Sequence, residues 1–274
     1  VSDSVLLRDV VSAMHRRYDP ATAEPWDAVG LVCGDPARPV LRVHLAVDPT
    51  AATVEEALAD GADLLITHHP LLLTPVSSVA ATTPSGRLVH QLISGGCALL
   101  AVHTNADVAR PGVSDALAAA LGVVHTSPVE PNGPVGTGLG RIGTLPATVT
   151  LGAFAELVAA ALPATAHGVR VAGDLARPVR RVAVVGGSGA DALAAASALG
   201  ADAVVTSDLK HHTASDHLAA GGAALVDVAH WASEWPWLGV AADLLRTDLA
   251  EALGGVTVET RVSKIVTDPW TARV

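Results

Sequence analysis

Aromatic residues are scarce in this 274-residue chain: one Phe, one Tyr and five Trp, 3% in all. Its cores therefore rest on Ala, Val and Leu. Lysine is scarcer still, at Lys210 and Lys264 only, the other fifteen of the 17 basic residues being arginine. With a formal net charge of −10 and no basic run, unaided binding to nucleic acid or an anionic membrane is not expected. The two cysteines, Cys33 and Cys97, form no CxxC and do not suggest a secreted disulfide framework. The start, with Ser2, Asp3 and Ser4, lacks the basic and apolar regions of a secretory leader. The stretch 88–109, near a membrane length, carries His90, Gln91, Gly95, Gly96, His103 and Asn105, and reads as helix, turn and strand. A soluble, cytoplasmic protein is expected.

What is present is half hydrophobic, too apolar for a disordered chain and long enough for one large domain or two modest ones. Strand and helix signals alternate. The β-branched run 41–47 ends at Asp48-Pro49-Thr50, and a helix over 51–60 follows with Thr50 as N-cap. Strand 63–67 ends in His68-His69-Pro70, a helix lies near 86–94, and strand 97–102 ends in His103-Thr104-Asn105-Ala106-Asp107. The segment 126–148, dense in proline and glycine, reads as the domain boundary, with little regular structure. Beyond it the pattern predicts helix 151–162, strand 180–185, helix 190–199, strand 203–206, a helix near 214–220 and strand 223–228. Two related α/β domains with mainly parallel sheets are expected around a cleft at the strand carboxyl ends. Their expected bounds are 1–127 plus 229–274, and 128–228.

The halves resemble each other. Gly61-Ala62-Asp63-Leu64-Leu65-Ile66-Thr67 returns as Gly200-Ala201-Asp202-Ala203-Val204-Val205-Thr206, 139 residues on. Chance similarity of Ala-rich units is the plainer alternative.

Ligands of open α/β sheets bind beyond the strand carboxyl ends, and the polar residues gather there. They are His68 and His69; His103, Asn105 and Asp107; Asp208, Lys210, His211 and His212; then Asp227, His230 and Glu234. Imidazole with carboxylate is the donor set of Zn, Fe, Mn or Ni rather than Ca or Mg. Each piece has a plainer reading: a His pair as a core feature, His230 and Glu234 as a solvated i,i+4 pair, Asp107 as an N-cap. Agreement of four strand ends favours a metal site. The turn Gly187-Ser188-Gly189, continuing to Ala192, partly meets a dinucleotide fingerprint, but a tight strand-to-helix turn is the preferred reading. Trp231, Trp235 and Trp237 crowd around Glu234 and Trp26 precedes Asp27; packing is expected for at least two of them, stacking on a base being the alternative.

Taken together, these motifs resemble the GTP cyclohydrolase 1 type 2 homologs, the NGG-interacting-factor-three-like proteins. The resemblance runs through Trp26-Asp27-Ala28-Val29-Gly30-Leu31, Thr67-His68-His69-Pro70, His103 to Asp107 and Gly138-Leu139-Gly140-Arg141-Ile142-Gly143. It continues through Gly186 to Gly189, Ser207 to His212, and His230 with Glu234. It implies two α/β domains about a dinuclear metal centre and a toroidal homohexamer. By position, it implies His68, His69, Asp107, His230 and Glu234 as ligands of two divalent ions (Zn, Fe, Mn or Ni). His103, Asp208 and His211 would surround them, with His103 or His211 as acid or base. A metal-dependent hydrolase of a nucleotide or related heterocycle is the leading expectation, and a non-catalytic metal-binding ring serving as chaperone or scaffold the alternative. Departures from the family pattern are Ala28 for Asn, Ser207 for Gly, and Trp231 for Tyr with loss of the acid before Ser233. The segment 126–148 is too short for the domain that some members insert.

Overall fold

A computed structural model describes residues 4–274; Ser2 and Asp3, on which the expectation about the start of the chain partly rests, lie outside the described residues. The chain divides into two compact units. The first runs to Ala106 and takes in Leu238–Thr267; the second comprises Asp107–Trp237 and Asp268–Val274. The chain thus enters the second unit well before the proline- and glycine-rich segment. The reason is local: helix Val113–Ala120 packs on strand Pro178–Ser188, deep in the second unit.

The first unit carries a five-stranded sheet in the order Gly30–Cys33, Ala98–Ala101, Leu64–Thr67, Arg42–Ala46 and Glu259–Val262. All neighbours are parallel except the edge strand Gly30–Cys33. Strands Leu64–Thr67 and Ala98–Ala101 are buried at every residue. That is why they read as continuous apolar runs without alternation. Helix Ala51–Ala59 starts at Thr50, whose hydroxyl accepts from the Thr53 amide while Thr53 Oγ1 accepts from the Thr50 amide. This is a capping box closed by threonine instead of Glu. Small side chains fill the core beside it: Ala46, Val54, Ala57, Leu65, Leu92 and Leu99.

The second unit has a six-stranded sheet, ordered Val124–Ser127, Arg141–Thr150, Pro178–Ser188, Ala203–Ser207, Ala224–Val228 and Arg170–Ala172. The two pairings made by Ala203–Ser207 are parallel and the outer ones antiparallel. Strand Arg141–Thr150 corrects the expectation of little structure over 126–148. Its glycine serves a close approach: a Cβ at Gly143 would stand 2.5 Å from the Val124 carbonyl oxygen of the neighbouring strand. Pro146 falls where the pairing to Pro178–Ser188 shifts register, so no ladder bond is lost to it. Helix 190–199 is likewise corrected, to a 3-10 turn Ala190–Ala192 and helix Leu193–Ala198. Helix His211–Ala219 begins earlier than expected.

The repeat is structural. Asp63 Oδ2 accepts from the Leu41 and Arg42 amides, and Asp202 Oδ2 accepts from the Arg180 and Arg181 amides. The pairing Val43 to Leu64 returns as Val182 to Ala203, with the same offset of 139. Among the described residues, no helix is long and apolar enough to cross a membrane.

Candidate metal centre

Three neighbouring parallel strands of the first unit end together, and their extensions carry Asp48, His68 with His69, and His103. The backbone continues the ladder past the strand ends: the His68 and His69 amides donate to the Ala46 and Val47 carbonyls. The three imidazole rings then lie 5.1–5.3 Å apart, centroid to centroid. One ligand atom from each lies within 4.8 Å of the other two.

Each ring is held from behind. His68 Nδ1 donates to the Val102 carbonyl at 3.0 Å, an oxygen that can only accept. His69 Nδ1 faces Asp48 Oδ1 at 2.7 Å, and Asp48 is itself fixed by the Thr267 hydroxyl. His103 Nδ1 faces Asp27 Oδ1 at 2.8 Å, while Asp27 Oδ2 accepts from the Thr104 amide at 3.0 Å and its hydroxyl at 2.5 Å. A proton held on Nδ1 leaves the Nε2 lone pair as the ligating one, and a carboxylate behind the ring raises its basicity. Burial and the nearby His68 push the His103 pKa down to about 4, against the opposing pull of Asp27, so its ring is neutral at physiological pH. Burial alone would raise Asp27; the Thr104 hydroxyl, His103 and the Thr104 amide outweigh it and hold the carboxyl below its ordinary value.

The second unit builds another donor set at the carboxyl ends of Ala203–Ser207 and Ala224–Val228. His230 opens helix His230–Ala252, and Glu234 follows one turn later. Their Nε2 and Oε1 atoms are 2.9 Å apart. His230 Nδ1 meets Asp208 Oδ2 at 2.6 Å, and Asp208 takes a left-handed φ of 59° to reach it. Ser233, fully buried, accepts from the Gly187 amide at 2.9 Å and donates to the His230 carbonyl at 2.7 Å. A Cβ on Gly187 would lie 2.5 Å from Glu234 Oε1 and 3.1 Å from His230 Nε2. The glycine turn is therefore filled by this unit's own side chains, the arrangement of a tight turn that clears room for the His230–Glu234 pair.

The remaining sequence-predicted residues divide. Asp107 lies half-buried on the short helix Thr104–Val108. His211 is exposed at the start of its helix, its ring 5.0 Å from His212, and lines a cavity with Arg170 and Lys210 over Leu209 and Leu225. Asp227 is occupied by Arg170 and His167. Trp231 and Trp237 are buried packing residues, whereas Trp26 is exposed. Asp27, Asp48, Ser233 and Gly187 were not among the candidates. Asp27 and Asp48 each follow an apolar or aromatic residue at a turn, a signal visible only once the fold brings them behind a histidine.

The donor chemistry of each unit suits a transition metal: three histidines in the first, and one histidine with a buried carboxylate in the second, every Nδ1 engaged by an acceptor. Known proteins resemble this chain along nearly its whole length. A Streptomyces coelicolor protein named GTP cyclohydrolase 1 type 2 homolog is 49% identical over 271 residues, covering 98% of this chain and 94% of that protein. A Mycobacterium bovis protein of the same name is 37% identical, covering 97% of each. That alignment spans 374 positions, 100 more than this chain has residues, so the relative carries an insertion that this chain lacks. Among solved structures, a Bacillus cereus protein related to NIF3 superposes with a TM-score of 0.90 at 26% identity, covering 98% of this chain and 99% of its own. A Staphylococcus aureus hypothetical protein, SA1388, gives 0.86 at 28%, covering 97% and 99%. The Duf34/NIF3 (NGG1p interacting factor 3) family matches residues 5–269, and the chain belongs to it.

Proposed function

We propose that the protein is a dinuclear-metal-dependent hydrolase acting in the cytoplasm on a nucleotide or related heterocycle. His68, His69, Asp107, His230 and Glu234 hold two divalent ions in this reading. The observation that carries it is the anchoring of His68, His69, His103 and His230 through Nδ1. Acceptors placed that way fix the tautomer and orientation of each ring for ligation through Nε2. The nucleotide half of the proposal draws support from the names of the relatives.

Divalent ions in such a site supply Lewis-acid polarisation of a carbonyl or phosphoryl oxygen and activation of water. The chain's own residues do the rest. His103, neutral at pH 7, offers Nε2 to take a proton, and Asp27 stabilises the charge the ring then carries while holding its orientation. Burial of His68 and Glu234 excludes water from behind the donors. A toroidal homohexamer belongs to the same proposal; sedimentation equilibrium is expected to give six chains, and a monomer would refute it.

The decisive experiment is elemental analysis of protein purified without chelator. Close to two transition-metal equivalents per chain are expected, falling together in Glu234→Ala. Metal-loaded protein is then expected to turn over at least one of GTP, other nucleotides or phosphoesters. Negligible metal after reloading overturns the metal centre, and full metal with no turnover across that panel overturns the hydrolase.

A further inference from the structure

We propose that Trp26 is the stacking platform for the planar ring of the ligand handled at the His68–His69–His103 cluster. The inference rests on the hydrolase reading above and names the part of the ligand that this chain grips outside the donor set.

Aromatic side chains are few here, and most of them are inside. Tyr18, Phe154, Trp231 and Trp237 are buried. Trp26 keeps 58% of its surface exposed, although burial is the ordinary fate of an indole. Trp270, exposed near the end of the chain, has no such setting.

The exposure of Trp26 is built, because the loop that carries it is fastened on both sides to one residue. The Glu24 amide donates to Thr104 Oγ1 at 2.9 Å, and Asp27 accepts from the Thr104 amide and hydroxyl. The Asp27 amide also closes a turn onto the Glu24 carbonyl at 2.9 Å. Thr104 adjoins His103 in sequence, so the same ties that orient His103 hold Trp26 beside it. The indole meets the His103 ring at 5.9 Å between centroids and 76° between planes. A perpendicular pair covers at most one face of the indole, and the other remains available to a ring lying flat.

A rigid, exposed indole beside a cluster of metal-type donors suits a ligand with two ends: a polar end for the donors and a flat aromatic heterocycle for the indole. Base-on-aromatic stacking tolerates many bases and changes affinity by about 5- to 150-fold on truncation to alanine. Trp26 would thus select ligands carrying a ring over bare phosphoesters, and would discriminate weakly among the rings themselves.

The test compares GTP with inorganic triphosphate, which shares the anionic end and lacks the ring. Binding to wild type, Trp26→Phe and Trp26→Ala is measured by calorimetry on the metal-loaded protein. Trp26→Ala is expected to weaken GTP by about 5- to 150-fold and leave triphosphate unchanged, while Trp26→Phe retains most of the GTP affinity. Equal GTP affinity in wild type and Trp26→Ala overturns the platform and leaves the hydrolase standing. Parallel loss of triphosphate also overturns it, since the substitution would then be acting through His103. Absence of GTP, guanosine and pterin binding to wild type removes the heterocycle reading, and the platform with it. Acrylamide quenching adds a readout independent of ligand. The emission lost in Trp26→Phe is expected to belong to the acrylamide-accessible fraction, which exposed Trp270 shares, and a shielded Trp26 in the native assembly would assign it to subunit contact instead.

Discussion

Replacement of Arg141 by methionine is expected to destabilise the second unit by about 3–5 kcal/mol, the cost of breaking a buried ion pair from one side. The estimate follows from what the guanidinium holds. Its side chain is fully buried and forks onto Asp115, with Nε to Oδ1 at 2.8 Å and Nη2 to Oδ2 at 2.7 Å. Nη1 donates to the Gly138 and Gly140 carbonyls, both at 2.7 Å, and Nη2 to the Ala109 carbonyl at 2.6 Å. Methionine fills much of the volume and satisfies none of these five contacts. Three carbonyls and a carboxylate then lose their donor together, and their desolvation is no longer compensated. Lysine keeps the charge without the fork, so Arg141→Lys should recover no more than about half of the loss. For a urea m-value of about 2 kcal/mol/M the methionine variant's midpoint falls by roughly 2 M. The double variant Arg141→Met/Asp115→Leu should be less destabilised than Arg141→Met, since the stranded charge is gone. It stays below wild type, because Asp115 also accepts from the Gly112 amide to start helix Val113–Ala120. A loss under about 1 kcal/mol in Arg141→Met, or a double variant worse than the single, would refute the reasoning. The same loop leads back to Asp107 through Ala109, so metal content should fall with stability.

Gly187→Ala should lower metal content and cost about 1–2 kcal/mol, as the residue sits at φ +68° and its Cβ would strike Glu234 Oε1; elemental analysis and thermal melts read both, and unchanged metal would count against the clearance role. Cys97 is buried, and that burial pushes its thiol up to about 12, so at pH 8 iodoacetamide should modify it only as urea unfolds the first unit. Labelling of Cys97 itself in the native protein, located by peptide mapping apart from the less buried Cys33, would contradict this. Burial lowers the His15 pKa below 6.5, against the opposing pull of Asp19. Its neutral form therefore supports the fold above pH 6.5, and that support is lost as pH falls below 6.5 because the unfolded chain takes up the proton first. Melting temperature should drop from pH 7 to pH 5, and His15→Gln should flatten the decline.

Much of the frame was legible because it is local. Thr50 announced a helix start, and the apolar runs announced buried parallel strands. Asp63 and Asp202 marked a repeat whose hydrogen bonds match one for one. Glycine was harder to read, since it signals a turn or a close approach and the sequence does not say which. At Gly143 it admits a neighbouring strand, and at Gly187 it admits Glu234; both depend on residues distant along the chain. Asp27 lies 76 residues from His103, and Asp48 lies 21 from His69. No spacing rule joins such pairs, although the donors they orient stood out by type. The repeat also shows where function parts from frame. At the offset of 139, His68 and His69 fall on Ser207 and Asp208. The first copy presents imidazoles directly at its strand end. The second presents a serine bonded to Ser233 at 3.2 Å and a carboxylate bonded to His230. One duplicated scaffold thus carries donors in one half and, at the same positions of the other, the residues that orient a donor on the following helix.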